Sequence, residues 1–77
     1  MSQKIRQDIS LGDKIRTLRK KRNLTQEQLV AKMQLLGFDM SRSIYSQIEC
    51  GSYNIRVSEL LAIARILKCD MNTLFDL

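Results

Sequence analysis

LTQEQLV (residues 24–30) and SRSIYSQIECG (residues 41–51) decide how this chain reads. In the first stretch Thr25 is a residue type that caps helices, and Gln28 stands three positions on, the spacing of a capping box. A helix is therefore expected to begin at Gln26. Leu29, Val30, Met33 and Leu36 continue it at helical spacing, and Gly37 is the expected stop. In the second stretch Ser41 precedes a short helix, about 42–49, on which Tyr45 and Ile48 share one face. Gly51 is its expected end.

Outward from these two helices the periodicity stays helical. Leu11, Ile15 and Leu18 lie on one face of a first helix, roughly 11–22, with Ser10 and Asp13 placed as a weak capping box. The segment 50–56 reads as loop from its Gly, Ser and Asn. A fourth helix, about 57–68, carries Val57, Leu60, Leu61, Ala64 and Leu67 as its expected buried stripe. Asp70 then caps a short terminal helix with Leu74 and Phe75 inside. No strand is expected. The fold class is all-α: five short helices in one domain over residues 12–77, preceded by an N-terminal arm, 1–11.

Composition excludes whole classes of function. The chain has 77 residues, too few for a Rossmann unit or a binding domain with a separate effector domain. Hydrophobic residues make up 44% and charged residues 27%, the balance of a folded domain. Histidine is absent and the two cysteines, Cys50 and Cys69, form no C-x-x-C pair. That removes zinc fingers and His-based acid–base or nucleophilic triads, so no metal, no cofactor and no enzyme activity are expected. Cys69 reads as a small core residue. Nothing approaches an apolar run of ~18 residues, so no membrane span is expected. The opening MSQKIRQDIS lacks an apolar stretch and a cleavage site, and the expected location is cytoplasmic.

Thirteen Lys and Arg against eight Asp and Glu give a net charge of +5, which suits a polyanionic partner. The outer face of the third helix points the same way. Steps of about 100° per residue from Tyr45 and Ile48 put Ser43 nearly opposite, Ser46 and Gln47 outside the buried arc, and Arg42 on the N-terminal flank. No acid faces outward before Glu49. A helix of that description fits a major groove ~12 Å wide. The first turn of the second helix, at Gln26, offers free N–H groups and a dipole that favour an anion.

I-R-T-L-R (15–19), L-T-Q-E-Q-L-V (24–30), S-R-S-I-Y-S-Q-I-E-x-G (41–51) and S-E-L-L-A-I-A-R-I-L (58–67), in that order, resemble the phage-repressor and Cro helix-turn-helix family, also called the XRE family. The resemblance runs over about 12–77 and implies a helix-turn-helix at about 26–49, with the third helix as recognition helix. It implies double-stranded DNA as partner and a small transcriptional regulator, a repressor, as function. An antitoxin or other protein-binding module on the same fold is the alternative. By the same resemblance Ser41, Arg42, Ser43 and Gln47 reach base edges, and Gln26 touches a phosphate. Ser52, Tyr53, Asn54 and Arg56 form a loop with donors suited to further phosphates. Arg19 and Glu49 are implied to form a structural ion pair. Two departures stand out. Gln34–Asp39 lengthens the usual turn, and Asn54-Ile55 replaces an Asn-Pro.

A homodimer is the final expectation. One small domain makes few base contacts, and two on one duplex gain through effective concentration. With the fourth helix phased on Val57, Leu60 and Ala64, Ile63 lies on the flank and Ile66 nearly opposite. Together with Phe75 and Leu77 these isoleucines are the expected two-fold contact.

Overall fold

The computed structural model describes residues 4–5 and 9–75, with side chains for 11–70 and 72–74. Among these residues five helices carry the fold: α1 (Ile9–Lys21), α2 (Gln26–Leu35), α3 (Arg42–Cys50), α4 (Val57–Leu67) and α5 (Met71–Phe75). The fold is all-α apart from one small ladder, in which β1 (Lys4–Ile5) pairs antiparallel with β2 (Ile55–Arg56). That ladder corrects the expectation of no strand: two residues per strand are too few for alternation to show. It also places Ile55, where a proline was the usual residue, fully inside the core. Residues 4–5, read as part of an arm, pair with the domain, and α1 starts at Ile9.

The helix ends follow local chemistry. Asn23 closes α1 with a positive φ of 58°, a conformation its short amide side chain tolerates. Thr25 then caps α2 reciprocally. Its hydroxyl accepts from the Gln28 backbone N–H at 3.0 Å, and the Gln28 amide oxygen accepts from the Thr25 N–H at 2.8 Å. After Leu35 the chain turns through Gly37 at φ 94°. Phe38 donates back to the Met33 carbonyl at 3.1 Å and Gly37 to Gln34 at 2.9 Å, the paired bonds of a Schellman motif. The longer turn is pinned by three anchors. The Gln34 amide donates to the Met40 carbonyl at 2.9 Å, Met40 is buried, and Phe38 is half-buried against the core. Ser41 caps α3 by accepting from the Ile44 N–H at 3.1 Å, and Gly51 ends it at φ 79°. Asp70 accepts from the Thr73 N–H at 2.8 Å and so caps α5.

In the core, α3 lies against α1 and α2, while α4 packs on α2 and α5 packs on α1 and α4. Ile15, Leu29, Met33, Tyr45, Ile48, Ile55, Leu60, Ile63, Leu67 and Leu74 fill its interior. The α1–α3 contact is close at Gly12. A Cβ built there would meet the Glu49 carbonyl oxygen below any real contact distance and the Ile48 carbonyl oxygen at 2.8 Å. Glycine is the residue that lets the two backbones approach.

The phase of α4 differs from expectation. Its buried residues are Leu60, Ala62, Ile63, Ala64 and Leu67, whereas Val57 and Leu61 are 39% and 51% exposed. Apolar side chains run nearly all round this helix, so periodicity alone left the inward direction open. Packing on both α2 and α5 turned it toward Ile63. Ile63 is therefore core and is withdrawn as a dimer contact. Ile66 is half-buried against the core, and the Phe75 and Leu77 side chains lie outside the described residues.

Candidate nucleic-acid interface

Burial of Tyr45, Ile48 and Glu49 orients α3, leaving Arg42, Ser43 and Gln47 exposed on its opposite side. With Gln26 at the start of α2 and Ser46, these three side chains line one open depression of about 450 Å³. Residues separated by the longer turn are thus brought together on one surface. Ser41 is exposed beside them, but its oxygen already caps α3, which leaves its hydroxyl proton to donate.

A buried polar cluster fixes this surface from behind. Arg19 Nε donates to Glu49 Oε2 at 2.6 Å and its Nη2 to Oε1 at 3.2 Å, a two-pronged pair linking α1 to α3. The remaining Arg19 nitrogen, Nη1, donates to the Leu24 carbonyl at 2.8 Å, bracing the α1–α2 turn. Gln26 Nε2 donates to Glu49 Oε1 at 3.0 Å. Since a carboxylate only accepts, this bond sets the orientation of the Gln26 amide, and its oxygen must point elsewhere. Burial by itself would raise the Glu49 carboxyl, but its polar neighbours, Arg19 first and then Tyr45 and Gln26, together with the Arg19 charge, outweigh it and hold the group below the usual carboxylate range. Burial pushes the neighbouring Tyr45 phenol well above its ordinary value, and the nearby Glu49 charge adds to this. Tyr45 therefore stays neutral, and Glu49 supplies the negative charge that Arg19 meets.

The loop after α3 divides. Ser52, Asn54 and Arg56 are exposed. Tyr53 is not a free donor: it packs on the core and its hydroxyl donates to Glu59 at 3.1 Å. A carboxylate beside that oxygen repels a phosphate, so Tyr53 leaves the set of phosphate contacts. Glu59 also accepts from the Arg56 N–H at 2.9 Å and so holds the start of α4. Sequence reasoning missed Arg22 as well. Its Nε donates to the Leu67 carbonyl at 2.7 Å and its Nη2 to Lys68 at 3.3 Å, which satisfies the C-terminal end of α4 from the end of α1. Within the basic run 19–22, Arg22 thus joins Arg19 as a tether, beside the exposed Lys20 and Lys21. Among the described residues no group of three or more His, Cys, Asp or Glu could hold a metal ion, and no helix is long and apolar enough to cross a membrane.

Two helices joined by a turn, the second presenting polar side chains outward over a buried face, define a helix-turn-helix DNA-binding domain. Comparison with protein families agrees: the helix-turn-helix family model matches residues 15–74. The chain belongs to that family, in its phage-repressor and Cro-type branch. None of the curated proteins and none of the solved structures matches it.

Proposed function

We propose that this chain is a sequence-specific transcriptional regulator, a repressor, that sets α3 in the major groove of duplex DNA and works as a pair of copies on a dyad-symmetric operator. The observation that carries the reading is the convergence of Arg42, Ser43, Ser46 and Gln47 with Gln26 on one exposed surface. The Arg42 guanidinium matches guanine O6 and N7, and the Gln47 amide matches adenine N6 and N7. Ser41 and Ser43 add short donors near the same end of the helix. The free N–H groups at the start of α2, with Ser52, Asn54 and Arg56 beyond α3, take phosphates and set the register.

Homodimer formation is part of this proposal. Two copies bring two recognition helices to half-sites about one helical turn apart, ~34–36 Å. The test is selection of bound sites from random duplex DNA. Enrichment of an inverted repeat supports the reading, and a pool that stays random after repeated selection contradicts it.

A further inference from the structure

Leu35 is 86% exposed, and Leu36 and Leu61 are near half. Removing such apolar surface from water is favourable, so their clustering on one surface marks a contact that the isolated chain leaves unmade. They border two shallow depressions of about 300 and 260 Å³ that meet at Leu36 and Arg65, between the end of α2 and the outer face of α4. Ile66 forms part of the floor. The charged residues lining them are Lys32 and Arg65, both cations, and among the described residues neither side chain has an ion pair. The longer turn builds one wall, and its anchors, the Gln34–Met40 bond and buried Met40, hold that wall in place before any partner arrives. No residue of this groove lies in the depression on the α3 surface.

We infer that this groove docks an acidic amphipathic segment of a different protein, two apolar side chains entering the depressions and carboxylates meeting Lys32 and Arg65. Charge decides the occupant. In a two-fold contact of groove against groove a second copy would bring its own Lys32 and Arg65 against the first pair, whereas an anionic segment satisfies both cations. Since the α3 surface stays open, the same molecule holds DNA and this partner together.

The test titrates the isotope-labelled chain with a synthetic amphipathic helix of leucine and glutamate, and in parallel with its lysine-for-glutamate counterpart. The acidic peptide is expected to shift the amides of 32–38 and 58–66 and to bind at least about tenfold more tightly than the basic one. Combining Lys32→Glu with Arg65→Glu, or introducing Leu61→Ser alone, is expected to weaken the acidic peptide by about tenfold or more. These residues lie at the surface, so the variants stay folded, with a melting temperature lowered only modestly by the reversed charges in the last turns of α2 and α4 or by the trimming of half-exposed Leu61. Absence of binding, equal affinity for both peptides, or shifts confined to Gln26 and 42–47 would overturn the proposal. Concentration-dependent shifts of the same amides without peptide would assign the groove to a second copy and overturn it too. Duplex binding measured on the same variants reports separately on the DNA reading.

Discussion

Arg19 and Glu49 show how one buried contact serves both fold and surface. Both are more than nine-tenths buried, so removing either partner strands the other's charge. Arg19→Ala and Glu49→Ala are each expected to cost about 3–5 kcal/mol, the double variant losing less than the sum. A double-mutant cycle of denaturant melts checks this, with additive losses as the contrary result. The pair also carries a pH dependence. The folded state holds the Glu49 carboxyl below its ordinary value of 4.5, so its contribution is present above that value and lost as pH falls through the folded one. Wild-type melting temperature should therefore drop more steeply on acidification below about pH 4.5 than that of Glu49→Gln. The partnership of Arg19 with Glu49 was legible from family resemblance. The Gln26 bond to Glu49, the Arg22 bonds to α4 and the Tyr53 bond to Glu59 were not. Each depends on where a flexible side chain ends after the helices pack, and residue type alone carries no such information.

At the scale of elements, capping residues spoke plainly, except at α1, and packing directions did not. At α1 the expected Ser10–Asp13 box gives way to a helix that already begins at Ile9 and an Asp13 that pairs with Arg16. Thr25, Gln28, Ser41, Gly37, Gly51 and Asp70 act through bonds a few residues away, so their roles were readable in the sequence. The phase of α4 needed its neighbours, because nearly every side of that helix is apolar. Gly12 was silent for a similar reason: its purpose is the Ile48–Glu49 backbone of another helix. Alanine favours a helix interior over glycine by ~1 kcal/mol, yet Gly12→Ala is expected to destabilise the domain, by about 1–3 kcal/mol, as α1 is forced from α3. A raised melting temperature would show that the helices do not approach so closely. Lys68 gives the opposite case. It ends α4 at φ 56°, the left-handed region that favours glycine, while the same turn's bonds run through backbone atoms. Lys68→Gly should stabilise by about 0.5–1 kcal/mol, a few degrees in thermal melting, and a loss would argue against that conformation.

For the whole molecule, the helix-turn-helix architecture was legible because four sequence segments occur in the family's order, and the longer turn leaves α3 packed beneath its exposed polar face. The expected dimer surface was less legible, since it rested on the α4 phase that placed Ile63 outside. The proposed pairing on DNA predicts a steep fall of affinity with salt, as phosphates are neutralised by a chain of net charge +5. It also predicts two protomers per operator by sedimentation of the complex. Both are measured on selected sites, and a single protomer bound to a site without dyad symmetry would remove the pair. The central claim is that the outer face of α3 reads base sequence. Its most direct test is selection from random duplex DNA run in parallel with the wild-type chain, Arg42→Ala and Gln26→Ala. The account predicts that Arg42→Ala loses preference at one base pair in each half-site, worth about 1–3 kcal/mol there, while Gln26→Ala binds more weakly on all sequences with its profile unchanged. An Arg42→Ala profile identical to wild type would contradict it.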